Sequence, residues 1–151
     1  MDIKPERLHF VSDEAINKFL KITYEFYEQI MNYAIENRDI IRILMLESLK
    51  KGKHQHSLFR FIKFKDDNGE NPFYKTIIYN ADQDFAFSDE MVLFKFFFSF
   101  LPIICFAAYF DDYKELSSLD DNELRSSFLR VYQIIMDSLI SGKDILLRNK
   151  K

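Results

Sequence analysis

The sequence offers one candidate for nucleophilic chemistry, its single cysteine, Cys105. A reactive thiolate needs a histidine beside it and an accessible, electropositive pocket. The neighbours Ile104 and Phe106 are apolar instead, and free cysteines are among the residues most often buried in cores. We therefore expect Cys105 to be a small core residue and not a catalytic one.

Two short motifs contain residue types that bind metals. Glu6 and His9 have the Glu-x-x-His spacing of carboxylate-bridged sites in helical bundles, but such sites need a second copy and two further glutamates. His54 and His56 could supply two imidazoles, although no third ligand follows at a fixed spacing, and a solvated loop is the competing interpretation. No glycine-rich phosphate loop is present. The sequence predicts no metal, no cofactor and no catalytic residue, and hence no enzyme.

Composition restricts the class of fold that could position any site. The 151 residues are 48% hydrophobic, with 17 Phe, 8 Tyr and no Trp, but only 3 Gly and 3 Pro. Few chain-breaking residues favour long helices over a many-turned sandwich, so we predict one all-α domain spanning residues 1–151. The net charge of −3 provides no basic surface for nucleic acid. One cysteine and an amino terminus without a secretion signal favour the cytoplasm.

The apolar stretch at residues 91–110 could be either a membrane span or a buried helix. Acidic residues precede and follow it, and Lys95 lies within it, which is unlike the lysine- and arginine-rich flanks of membrane spans. We therefore predict a central core helix, and no association with a membrane. Pro102 should bend this helix or mark a join between two shorter ones.

Apolar residues at helical spacing predict the elements before this stretch. A first helix covers residues 12–36, with Ser12 as its N-cap. A second begins at Ile40 and ends at Gly52. Residues 53–79 are ambiguous, because Asn68-Gly69 could turn a hairpin whereas Asn71-Pro72 could begin a helix.

The last two helices carry the clearest signals. We predict helices at residues 88–109 and 120–140, joined by an acidic linker at residues 111–119. Asp120 and Glu123 have the spacing of a capping box, flanked by Leu119 and Leu124 at the positions of a hydrophobic staple. The final helix has two apolar faces, and each face needs a packing partner.

Aromatic residues are the distinctive signal of this composition. Phe and Tyr recur on the first helix, in the middle of the chain and along the apolar stretch. Such side chains could line a pocket for an apolar or aromatic ligand, with tyrosine hydroxyls orienting it. They could equally fill the core, and the sequence leaves both interpretations open.

The order of these elements resembles the C-terminal regulatory domain of the TetR family of transcriptional regulators. The resemblance covers nearly the whole chain and is carried by the segments AIENRD, IIRILMLESL, LFR, NPFYK and FSDEM, which begin at Ala34, Ile40, Leu58, Asn71 and Phe87. It implies an antiparallel bundle of about five to six helices that dimerises through its last two helices. It also implies an inducer pocket for a small hydrophobic ligand.

Carried over to this sequence, the resemblance implies two sets of residues. The expected ligand-binding residues are Phe26, Tyr27, Tyr33, Met45, Phe59 and Phe94. The expected homodimer interface contains Phe98, Phe106, Phe128, Tyr132, Ile135 and Met136.

The sequence departs from the family's pattern at its amino terminus. Family members bind DNA through a helix-turn-helix head, and nothing before Ser12 can form one. We expect DNA binding only through such a missing head. The chain is then either a regulatory domain separated from its DNA-binding head or a helical protein that never carried one. In the second case it would bind a hydrophobic small molecule or a partner helix, with no role in transcription.

Overall fold

A computed structural model describes residues 13–58 and 93–141 of the chain. These two parts contain five α-helices and one π-helical segment, and they contain no strand, so the all-α prediction is confirmed there. In chain order the elements are α1 (Asp13–Glu36), α2 (Arg38–Leu49), the π segment (Phe94–Phe100), α3 (Leu101–Ala108), α4 (Phe110–Leu116) and α5 (Asp121–Ser141). Ser12, Ser88, the motif Glu6/His9 and most of the ambiguous region 53–79 lie outside the described residues.

The break between α1 and α2 is a single residue, Asn37. Its side-chain amide donates to the Tyr33 carbonyl at 2.8 Å, and the Arg38 guanidinium donates to the Ile35 carbonyl at 2.8 Å. The Asn37 backbone N–H also donates to the Tyr33 carbonyl, at 3.0 Å, so the Asn37 amide is a second donor there, while Arg38 supplies a side-chain donor to a carbonyl in the last turn of α1. The predicted interruption at Asn37 is therefore present, although α2 begins at Arg38, two residues earlier than predicted.

The apolar stretch is divided where Pro102 predicts a join. The Leu101 N–H donates to the Phe96 carbonyl, five residues back, which is the spacing of a π-helix. Pro102 follows in the first turn of α3, where its missing N–H costs little. The wide π turn thus brings the chain into α3 without the clash that proline causes inside a continuous α-helix.

The predicted acidic linker at residues 111–119 is wrong, because most of it forms α4. Asp111 and Asp112 lie in the first turn of α4, where negative charge is favourable. The Arg38 Nε donates to the Asp111 carboxylate at 2.6 Å, which ties the start of α4 to the start of α2. Between α3 and α4 the chain bends by 63° at Tyr109.

The start of α5 confirms the predicted capping box. The Glu123 N–H donates to the Asp120 carboxylate at 2.9 Å, and the Asp120 N–H donates to the Glu123 carboxylate at 3.0 Å. Leu119 is partly buried and Leu124 is buried, as a hydrophobic staple requires. Local sequence alone accounts for this helix start.

The core forms where α3 packs against α1 and α2. Ile103, Ile104 and Ala107 of α3 are at most 1% exposed, as are Met31 and Ile35 of α1. The predicted central position of the apolar stretch is therefore correct. Within one chain the stretch is not covered on every side, because Phe97, Phe98 and Tyr109 are between 46% and 63% exposed.

Among the described residues no single helix has both the length and the apolar composition to cross a bilayer. Only the bent pair Phe94–Ala108 and Phe110–Leu116 meets those two criteria when its helices are taken together.

Candidate functional site

Five polar side chains are buried on three elements, α1, the π segment and α5, that meet at Tyr27 and Tyr132. Thr23 and Tyr27 belong to α1, Lys95 and Ser99 to the π segment, and Tyr132 to α5, and all are at most 5% exposed. We call these five residues the polar cluster. Buried polar groups require partners, so their concentration in an otherwise aromatic region identifies the strongest candidate site in the described parts of the chain.

Ring contacts and one hydrogen bond join the three elements at this point. The Tyr132 hydroxyl donates to the Ser99 carbonyl at 3.1 Å. The Tyr27 ring lies edge-on to the rings of Tyr132 and Phe100, with centroid distances of 5.4 and 5.7 Å. Thr23 precedes Tyr27 by four residues and therefore lies on the same face of α1.

Burial changes the protonation equilibria in the polar cluster. Desolvation lowers the pKa of Lys95 to about 8, and its Nζ lies 5.8 Å from the centre of the Phe100 ring. Desolvation also raises the pKa of Tyr132 well above its usual range. Both shifts favour the uncharged form, which shows that this environment penalises charge.

A groove opens beside the polar cluster, between the same helices α1 and α5. It has a volume of about 480 Å³, and its lining includes Tyr24, the residue after Thr23, and Gln133, the residue after Tyr132. The Tyr24 hydroxyl donates to the Asp137 carboxylate and lies 3.3 Å from the Gln133 carbonyl oxygen. Burial raises the pKa of Asp137. The remaining lining residues are Asn17, Leu20, Lys21, Glu25 and Glu28.

The residues predicted to bind ligand are only partly brought together. Tyr27 is 1% exposed and in the polar cluster, and Phe26 lies beside it with ring centroids 5.6 Å apart. Phe94 is buried and stacks on Phe98 at 6.3 Å, while Met45 packs partly buried on the core from α2. Tyr33 is 49% exposed, so its assignment to an enclosed pocket does not fit. Phe59 lies outside the described residues.

The residues predicted to form a dimer interface divide into three groups. Phe98 and Ile135 are 61% and 51% exposed and are therefore accessible to a second copy. Phe106 and Phe128 stack on each other inside the protomer, with ring centroids 3.9 Å apart. Tyr132 and Met136 are 5% and 0% exposed, because they are on the face of α5 that packs into the core. Their assignment to an interface needs correction, since they are already fully packed.

On the outer face of α5, residues that were not predicted for the interface recur at a regular helical spacing. Ser127, Val131, Ile134 and Ser138 follow one another at spacings of four, three and four residues, and we call them the α5 seam. Val131 and Ile134 are 57% and 60% exposed. The Ser138 hydroxyl donates to the Ile134 carbonyl at 2.8 Å, so its polar atom is satisfied within the helix. This spacing is typical of a helix that packs against another helix.

The histidine and cysteine candidates have no chemical surroundings that would activate them. His54 and His56 are exposed in the turn after α2. No group of three or more metal-binding side chains occurs in residues 13–58 or 93–141. Cys105 is half-buried, and burial raises the pKa of its thiol, which keeps it protonated.

The sequence contained a signal for the polar cluster that hydrophobic periodicity did not reveal. Thr23, Tyr27, Met31 and Ile35 repeat every four residues on α1, so Thr23 falls in the buried stripe. Lys95 and Ser99 likewise interrupt an aromatic run. Polar residues in phase with a core stripe are the pattern that indicates such a site.

Comparison with known proteins does not add to this description. The chain matches no family model, no characterised protein and no solved structure.

Proposed function

We propose that this chain is a sensor and dimerisation domain of the kind found in TetR-type transcriptional regulators. Two copies pack through their α5 seams, and a small, mainly apolar or aromatic ligand binds beside the polar cluster. In such a regulator, which acts in the cytoplasm, DNA binding belongs to a helix-turn-helix head outside this chain. The net charge of −3 is consistent with that division of roles.

The observation that carries the proposal is that α5 has one face packed in the core and a second face with exposed apolar residues. Its inner face supplies Leu124, Tyr132 and Met136 to the core, each at most 5% exposed. Its outer face presents Val131 and Ile134 at the spacing of a helix-packing surface. An exposed apolar stripe of this kind is typical of interaction sites, and a second copy of the same helix is complementary to it in spacing.

The same helix links the polar cluster to the proposed interface. Tyr132 hydrogen-bonds the π segment, while Val131, its neighbour in sequence, belongs to the α5 seam. A ligand that separates α5 from α1 or from the π segment would therefore move the seam as well. This provides a physical route by which binding could change the relative orientation of two protomers.

The proposal is tested by the oligomeric state of the protein and its response to a simple aromatic probe. We expect sedimentation velocity at micromolar concentration to give a species of twice the 18.2 kDa chain mass. We also expect toluene, at concentrations below its solubility limit, to raise the melting temperature, because it binds the folded state. A monomer would contradict the dimerisation half of the proposal. A melting temperature unaffected by toluene and by its polar analogues p-cresol and acetophenone would contradict the sensing half.

A second candidate function is favoured by an exposed apolar surface on α2. Ile40, Ile43 and Leu46 are between 58% and 61% exposed. A stand-alone helical protein could bind a partner helix on this surface, without a role in transcription. Substitution of Ile43 by serine should then abolish binding of that partner and leave the dimer intact.

A further inference from the structure

Two hydroxyl groups in the polar cluster are buried without a protein partner in the described parts of the chain. These are Thr23 Oγ1 and Ser99 Oγ, and both residues are 0% exposed. A buried hydroxyl without a hydrogen bond costs about 1–3 kcal/mol, so proteins rarely retain two at one place without a use for them.

Each of these two residues is connected to one of the two tyrosines of the polar cluster. Thr23 lies one helical turn before Tyr27, and the Ser99 carbonyl accepts the hydrogen bond of Tyr132. The Tyr27 and Tyr132 rings lie in contact with each other. Ser99 is also part of the π segment, a type of element that is found frequently at functional sites.

The adjoining groove is open to solvent, and its lining ends one residue away from Thr23 and from Tyr132. Its volume of about 480 Å³ is within the usual range for small-molecule sites, and its lining includes the immediate neighbours of Thr23 and Tyr132. The Tyr24 side chain spans the groove to Asp137 and would have to move to admit a ligand to the cluster. The groove volume exceeds the roughly 150 Å³ that is sufficient for an aromatic ring, so a ring bound in the groove would lie next to the cluster.

We propose that Thr23 and Ser99 bind the uncharged polar end group, a hydroxyl or a carbonyl, of a mainly aromatic or apolar ligand. This deepens the proposed function, on which it rests, by naming the chemical class of the ligand. Each hydroxyl can donate to a carbonyl oxygen or exchange hydrogen bonds with a ligand hydroxyl. The surrounding rings supply the apolar contacts, and the desolvation that raises the pKa of Tyr132 also disfavours a carboxylate end group wherever Lys95 is uncharged, which is above about pH 8.

The experiment compares four probes that share one ring: toluene, p-cresol, acetophenone and benzoate. Thermal melting and calorimetry of the wild-type protein at about pH 9, where Lys95 is mostly uncharged, should show p-cresol or acetophenone binding more tightly than toluene, with benzoate weakest. In the double variant Thr23→Val, Ser99→Ala, affinity for the favoured probe should fall roughly tenfold or more, while affinity for toluene changes by less than about threefold. The same variant without a probe should melt at a higher temperature, because two unpartnered hydroxyls are gone.

The control variant is Ser126→Ala, which removes an exposed hydroxyl from α5 and should alter neither binding nor melting. Equal affinity for toluene and the polar probes in the wild-type protein would overturn the inference, and this comparison requires no variant to fold. The inference would also be overturned if the double variant still preferred the polar probes to toluene, or if benzoate bound most tightly. Each of these results would leave the proposed sensing function standing, whereas failure of every probe to bind would contradict both.

Discussion

Replacement of Lys95 by methionine should stabilise the protein at neutral pH. Lys95 is 5% exposed, and burial lowers its pKa from 10.5 to about 8. Below pH 8 the folded protein must hold a buried ammonium group, whereas the unfolded chain holds it in water. Methionine retains most of the apolar stem and removes the charge.

The size of the effect follows from the pKa difference. Each pKa unit corresponds to about 1.4 kcal/mol, so the substitution can raise the free energy of unfolding by at most about 3 kcal/mol. Screening by nearby water reduces the expected gain to about 1–2 kcal/mol. The pKa shift also determines how the free energy of unfolding changes with pH. Between pH 8 and 10.5 the unfolded chain binds the proton that the folded protein releases, so the wild-type free energy of unfolding rises through this window relative to that of the variant.

Urea unfolding of wild-type protein and Lys95→Met at about pH 7 and pH 10.5 measures both quantities. We expect the variant to be more stable at the lower pH and the difference to vanish at the higher. Lys18→Met, which removes an exposed lysine from α1, should change stability by less than about 0.5 kcal/mol at either pH. A Lys95→Met protein that is less stable than wild type at pH 7 would refute the reasoning, because the ammonium group would then be stabilising.

Three further substitutions test separate contacts. Ile134 is 60% exposed; if a second copy covers it, Ile134→Ser removes about 1.5 kcal/mol per protomer and weakens dimerisation roughly 100-fold in sedimentation equilibrium. Ile43→Ser, at a site 59% exposed on α2, is the matched control and should not change the dimer. Asp120→Ala removes the cap of α5 and should cost about 1 kcal/mol in urea unfolding; an unchanged midpoint would show that the capping box does not stabilise the fold. Tyr132→Phe leaves the Ser99 carbonyl without its donor and should cost about 1–3 kcal/mol, and a loss near zero would mean that another donor replaces it.

Local sequence was sufficient to predict the elements whose ends are determined by nearby residues. Asp120 and Glu123 satisfy each other's backbone N–H groups, so the start of α5 depends on a four-residue pattern. Similarly, the side chains of Asn37 and Arg38 donate to carbonyls in the last turn of α1 at the predicted interruption.

Elements stabilised by distant contacts could not be predicted in this way. The first turn of α4 has a composition typical of a loop, but the Phe110 ring lies between the guanidinium groups of Arg38 and Arg125, at 6.0 and 5.5 Å. Arg38 also pairs with Asp111, and Arg42 lies 4.0 Å from Asp112. These partners belong to helices α2 and α5, which sequence spacing alone does not place beside α4.

The candidate site was missed for a related reason. Aromatic excess directed attention to Tyr27, which is buried, but it gave no reason to select Thr23 or Ser99. Their selection depends on tertiary contacts: the Tyr132 hydroxyl reaches the Ser99 carbonyl, and the ring of Tyr27, one helical turn after Thr23, packs on the Tyr132 ring. The assignment of Tyr132 and Met136 to an interface failed because α5 has two apolar faces, and periodicity does not show which of them faces the core.

The central claim is that two copies of this chain meet through the α5 seam. The most direct test is an isotope-filtered NOE experiment on an equal mixture of methyl-labelled and unlabelled chains, which detects only contacts between protomers. We predict intermolecular NOEs from the methyl groups of Val131 and Ile134, with none from Ile43 on α2. Intermolecular NOEs confined to Ile43, or no intermolecular NOE from the α5 methyl groups, would contradict the account.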